Sequence, residues 1–241
     1  MAGLRQRRGF LLALPGLLAA CAGPGIARRD GSSSARPFAV SSLAKGDLDN
    51  VAEIVQAELL ASLKALAEKL YRRNPAEWRK TGLASVEAAL DRLAGPLKRW
   101  ETAPERARDW RADFADTWRG DFAGDRVGSL MRGLLAMQMT AFGHRTEFYL
   151  WHELDAQKLY NAARNLEAVA WALANRRDAR GAPVLLSNAV EGDGAANLSF
   201  EREFGKLIAL NDALARIVED QTNRTIRAGV VNVAGFVLLP L

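Results

Sequence analysis

Cysteine and histidine are almost missing from this sequence: 241 residues hold one cysteine, Cys21, and two histidines, His144 and His152. A single cysteine cannot form a disulfide within the chain, so any fold must be held by its core alone. Long apolar runs are missing too. The apolar stretches at 10–18 and 230–241 hold roughly a dozen residues or fewer, against the ~20 that a membrane-spanning helix needs. There is no Gly-x-Ser-x-Gly elbow, no Gly-x-x-x-x-Gly-Lys phosphate loop and no Gly-x-Gly-x-x-Gly opening a helix, so the commonest hydrolase and nucleotide-binding classes lose their local signatures. A large charge imbalance is lacking as well. Arg5, Arg7 and Arg8 supply three of the five net positive charges, and the rest of the chain is left at +2. So small an excess gives no global argument for nucleic-acid binding.

What is present begins with those three arginines, followed by Phe10-Leu11-Leu12-Ala13-Leu14-Pro15-Gly16-Leu17-Leu18 and then small residues. This charged, apolar, small-residue order predicts a cleaved export signal over residues 1–20. Leu18-Ala19-Ala20-Cys21 resembles the lipobox of bacterial lipoproteins. The resemblance implies alkylation of the Cys21 thiol by a diacylglyceryl group, cleavage before it, and acylation of the new amine. Ala22, where an Asp would imply retention at the inner membrane, implies the periplasmic face of the outer membrane. Residues 21–42 are rich in Gly, Ser and Pro and read as an acylated cysteine followed by a flexible tether.

From residue 43 onward the sequence predicts one mainly helical domain, an irregular helical bundle. Val51, Ile54, Val55, Leu59, Leu63, Leu66 and Leu70 recur at three and four residues, giving an amphipathic helix from Asp47 to a stop near Asn74-Pro75. A shorter helix over 85–93 ends at Gly95-Pro96. Asp125 is suited to cap a run over 127–142 that is apolar on nearly every side, as expected of a central bundle helix. Leu154, Leu159, Ala163, Leu166, Ala170 and Leu173 carry another helix, ending at Arg176-Arg177. Val184-Leu185-Leu186, between two glycine-containing breaks, reads as a strand of a short β-hairpin near 184–198. Ser199 can cap a last helix with Phe204, Leu207, Leu210, Leu214, Ile217 and Val218 on its inner side. The tail at 230–241 reads as a docked apolar segment or as a membrane or partner contact.

Candidates for chemistry are few. His144, Glu147, His152 and Asp155 are the one cluster with acid–base or metal-ligating residue types, though Ala156 stands where a zinc-protease helix starting at His152-Glu153 would place its second histidine. If that segment is helical, His144, Glu147 and Trp151 share a face and His152 lies about 80° away. The pairs Trp78-Arg79, Arg99-Trp100, Trp110-Arg111 and Trp118-Arg119 can meet anionic envelope polymers or lipid headgroups by ion pairing and stacking, or form a mixed solvated face with the interleaved Glu and Asp. Asn197-Leu198-Ser199 and Asn223-Arg224-Thr225 match a glycosylation pattern that a bacterial chain is not expected to use.

Three stretches, Glu68-Lys69-Leu70-Tyr71-Arg72-Arg73-Asn74-Pro75, Leu159-Tyr160-Asn161-Ala162-Ala163-Arg164-Asn165 and Asn197-Leu198-Ser199-Phe200-Glu201-Arg202-Glu203-Phe204-Gly205-Lys206-Leu207-Ile208, resemble a family of uncharacterised proteobacterial lipoproteins. That resemblance brings no activity, cofactor or catalytic residue. The expectation is therefore a non-catalytic envelope module, anchored by lipid on Cys21, that binds or scaffolds an envelope protein or anionic envelope component. The rival expectation is a periplasmic enzyme using His144 or His152 with nearby carboxylates.

Overall fold

A computed structural model describes Ile26, residues 44–188 and the backbone of 198–237, with side chains in the last helix as far as Asn223. Among the described residues the named helices lie in the unit Asp47–Leu241. In chain order they are α1 (Asp47–Arg73), α2 (Pro75–Arg79), α3 (Val86–Ala94), α4 (Trp110–Trp118), α5 (Arg126–Ala141), α6 (Ala156–Asn175) and α7 (Ser199–Val237). Two 3-10 segments, Gly95–Thr102 and Pro104–Ala107, join α3 to α4. Among the described residues there is no strand, so the fold is a mainly helical bundle, as the periodicity predicts.

Helix α5 occupies the centre. Its buried positions run round the whole circumference, including Val127, Leu130, Met131, Leu134, Met137 and Met139. It packs against α1, α2, α3, α4 and α6. Each fully buried Leu or Met of this set stabilises the fold by about 1.5–3 kcal/mol relative to exposure. The contact with α4 is close because Gly133 carries no side chain: a Cβ there would lie 2.6 Å from the Phe114 ring and 3.2 Å from the Asp113 Cβ. The helix starts where the chain supplies a cap, with an Asp125 carboxylate oxygen accepting from the Gly128 N–H at 2.8 Å. Its other oxygen accepts the Tyr71 hydroxyl of α1 at 2.7 Å.

Helix α1 lays Ala52, Val55, Leu59, Leu63, Leu66 and Leu70 along this core. Ile54 departs from the expected stripe and stands half exposed, because Ala52 and Val55 set the buried line and Ile54 falls to one side of it. Helices α6 and α7 pair through Leu159, Ala162 and Leu166 on one and Phe204, Leu207, Leu214 and Val218 on the other. The Arg164–Asp212 ion pair spans them at 2.6 Å, and Lys69–Glu203 at 2.7 Å ties α7 to α1.

Three expectations need correction. Ser199 is inside α7 and not before it: the Arg202 N–H bonds the Leu198 carbonyl, so Leu198 occupies the capping position. Residues 230–237, read as part of a separate tail, continue the α7 backbone, while 238–241 lie outside the described residues. Val184-Leu185-Leu186 is not a strand of a hairpin. Only an isolated antiparallel bridge, Arg177 with Pro183, forms in this region, and 189–197 lie outside the described residues. The reason is local: Leu185 is buried, and the side-chain amide of Asn74 accepts from the Leu186 N–H at 2.8 Å and donates to its carbonyl at 2.9 Å. One amide side chain thereby satisfies the main chain that a partner strand would otherwise have to meet.

The Tyr71–Asp125 bond should govern alkaline stability. Burial, then the charge of Asp125 and its hydrogen bond, raise the Tyr71 hydroxyl far above its ordinary value of 10. A raised acid contributes stability that is complete below its unfolded value and is lost as pH rises. Above pH ~10 the wild type should therefore lose up to about 1.4 kcal/mol per pH unit more than Tyr71→Phe. Asp125→Ala, which removes the cap and orphans a buried hydroxyl, should cost about 3 kcal/mol at neutral pH. Urea denaturation at neutral and alkaline pH measures both, and a wild type and Tyr71→Phe with parallel alkaline losses would remove this bond from the account.

Candidate functional site

Pro96 and Pro104 open the two 3-10 segments, where a missing N–H and a fixed φ are tolerated. The first segment is broken at Arg99, whose φ of −145° and ψ of 39° are not helical. This kink lets Trp100 turn inward, 1% exposed against Leu135 and Met139, while Lys98 and Arg99 remain outside. Trp100 is thus a core residue, and the tryptophan–arginine pairs do not form one surface. Arg79 lies over Trp78 at 5.2 Å and Arg111 over Trp110 at 4.1 Å, whereas Arg119 faces the Phe122 ring.

Opposite this segment, the chain leaves α5 through two successive left-handed residues, Gly143 at φ 64° and His144 at φ 59°. The His144 N–H bonds back to the Met139 carbonyl at 2.7 Å, closing the helix end. Glycine takes this conformation freely, but histidine does so at a cost of about 1–2 kcal/mol. The segment holding both histidines is therefore a loop and not a helix, and the expected shared helical face of His144, Glu147 and Trp151 does not exist. The loop is moored to α1 by the Gln56 side chain, which donates to the Arg145 carbonyl at 2.7 Å, and by Glu53, which accepts from the Phe148 N–H at 3.2 Å.

Between the 3-10 segment and this loop lies an open groove of about 680 Å³ that collects His144, Glu147 and His152 beside Lys98, Arg99, Glu101, Arg106, Arg145 and Tyr149. Asp155 is not in its lining: its carboxylate caps α6, accepting from the Gln157 and Lys158 N–H groups. The His144 ring stacks on Trp100 with centroids 6.2 Å apart and planes 11° from parallel. Burial, then Arg106 and Lys158, hold the His144 imidazole below its ordinary value. Glu147 is engaged by the Tyr149 hydroxyl at 2.5 Å, which in turn raises that phenol. Neither histidine Nδ1 has a hydrogen-bond partner, so no histidine is oriented through it by a carboxylate as acid–base catalysis would need. Among the described residues no group of three or more His, Cys, Asp or Glu is disposed to hold a metal ion.

Beyond the groove the loop carries Leu150 and Trp151 to its tip, each 68% exposed. Tyr149 stacks under Trp151 at 5.1 Å and 9°, which stiffens the tip. Trp100 also lines a second, more enclosed cavity of about 310 Å³, together with Tyr71, Arg92, Arg108, Asp125 and Arg132 among others. Sequence reasoning missed this cavity, since Tyr71 sits within the leucine stripe of α1 and Asp125 looks only like a helix cap. Comparison with family models, with curated proteins and with solved structures gives no match to this chain.

The His144 environment yields a direct test. In an NMR titration His144 should protonate below pH 6.5, and Arg106→Gln should move its midpoint upward by removing a facing cation. A midpoint at or above the ordinary value, or one unmoved by the substitution, would show that neither burial nor Arg106 acts on the ring as described.

Proposed function

We propose that the chain is an exported lipoprotein, acylated on Cys21 and held at the periplasmic face of the outer membrane, whose helical domain is a non-catalytic binding module for phosphate headgroups at a membrane surface. The observation that carries the binding role is the loop at 143–152, which presents exposed Leu150 and Trp151 beside a groove edged by Lys98, Arg99, Arg106 and Arg145. Tryptophan and tyrosine favour the membrane interface, where an apolar body and a polar tip are both accommodated, and cations near an anionic surface contribute about 1 kcal/mol each. The groove sets these four cations against two carboxylates, Glu101 and Glu147, which leaves two positive charges in excess. Among the described residues no helix is long and apolar enough to cross a membrane. The attachment in this reading therefore rests on two signals, acyl chains on Cys21 and the loop, the combination that peripheral membrane proteins use for stable residence.

The rival reading, acid–base catalysis by His144 or His152, has the strained His144 backbone in its favour. It is the weaker one, because Glu147 is held by Tyr149 and Asp155 by its helix cap, so neither carboxylate assists an imidazole.

Two experiments address the two signals separately. Cys21→Ser should accumulate as an unacylated precursor that keeps residues 1–20, and normal processing with outer-membrane fractionation would defeat the lipoprotein reading. For the loop, the chain from residue 42 onward should sediment with vesicles containing anionic phosphatidylglycerol and not with phosphatidylcholine alone. Replacing Leu150 and Trp151 with Ser should abolish this. The double variant Lys98→Gln, Arg99→Gln should weaken it roughly 30-fold, at about 1 kcal/mol per cation. Equal binding to neutral vesicles, or full binding by the loop variant, would rule out headgroup recognition by this surface.

A further inference from the structure

The cavity behind Trp100 has walls of two kinds. Leu83, Leu93, Pro96 and Leu135 supply hydrocarbon, and Arg92, Arg108, Arg132 and Trp100 supply donors. At about 310 Å³ it has space for roughly ten waters at ~30 Å³ each, the lower end of the range of small-molecule sites. The donors and acceptors around it are not balanced. Both Asp125 oxygens are taken, one by the Tyr71 hydroxyl and one by the Gly128 N–H. Asp113, just outside the lining, takes the Arg108 Nε and faces the Arg132 Nε at 3.6 Å. On the donor side, the indole N–H of Trp100 is buried with no acceptor, although the residue is 1% exposed. The Arg132 Nε is buried and lacks a hydrogen bond. Arg92 lines the cavity from α3 and has no ion pair among the described residues.

Buried polar groups in folded proteins are nearly always hydrogen-bonded, and Arg132 Nε already faces the Asp113 carboxylate, so it is the Trp100 N–H that calls for acceptors from outside the chain. The charge count limits what those acceptors can be. In the lining, Arg92, Arg108 and Arg132 are set against Asp125 and Glu105, one positive charge in excess, which suits a monoanion and not a polyanion. We propose that this cavity is a binding site for a small organic monocarboxylate, its carboxylate received by Arg92, Arg132 and the Trp100 N–H and its short apolar body lying against Leu83, Leu93 and Leu135. A planar carboxylate suits guanidinium donors, which present their N–H groups in a fork. The Asp113 contacts hold Arg108 and Arg132 in place, whereas Arg92 has no such carboxylate among the described residues. This site is independent of the membrane-surface reading, which uses the loop at 143–152 and its groove.

Isothermal titration of the purified full-length chain with benzoate and with hexanoate tests the proposal, with neutral benzamide and inorganic phosphate as controls. One or both carboxylates should bind with a Kd of about 1 mM or tighter, and benzamide and phosphate at least about tenfold more weakly. Arg92→Gln, an exposed change that leaves the core untouched, and Trp100→Phe, which keeps an aromatic ring and removes the N–H, should each weaken carboxylate binding about tenfold. Thermal denaturation without ligand checks that each variant folds, and Arg92→Gln alone keeps the test decisive if Trp100→Phe does not. No heat from either carboxylate at about ten times that Kd, benzamide binding as tightly as benzoate, or unchanged carboxylate binding by Arg92→Gln would each overturn it.

Discussion

A single carboxylate, that of Asp125, carries two duties on which the rest of the bundle depends. It starts α5 by satisfying the first-turn amide of Gly128, and it binds the hydroxyl of Tyr71 near the end of α1. A central helix buried on all sides has no solvent face to fix its rotation, so polar contacts at its ends set which residues meet which neighbours. Asp125 does this at the N-terminal end. At the other end the Met139 carbonyl receives the His144 N–H, and Gly133 in between admits Phe114. Packing supplies most of the stability here, and these few contacts decide that it is realised in one arrangement.

The helices were legible because their signals are local. Asp47 and Arg73 bound a 27-residue helix whose apolar spacing is regular, Asn74-Pro75 ends it, and Asp125 sits before the central helix as its cap. The hairpin was misread because the element that satisfies Leu186 is an asparagine 112 residues away, and no local pattern carries that information. The site was legible only as a list of residue types. Sequence brought His144, Glu147, His152 and Asp155 together as neighbours, but folding sends Asp155 to a helix cap and gathers the other three with cations from 98–106. Nor could helical spacing foresee that Gly143 and His144 would both turn left-handed, since that is set by how α5 ends.

The same contrast explains why Trp100 looked like a surface residue. Its neighbours Lys98, Arg99 and Glu101 are charged, and only the kink at Arg99 turns the indole inward. A short segment without regular helix can in this way bury one large side chain and expose the charges on either side. The 3-10 region of this protein serves as a holder for one ring.

That ring lines two separate spaces, the histidine-bearing groove and the arginine-rich cavity. Any occupant of one that shifts the position or freedom of the indole changes affinity in the other, and by the reciprocity of free energies the second occupant acts back on the first by the same factor. His144, stacked on the indole, belongs to the same loop that exposes Leu150 and Trp151.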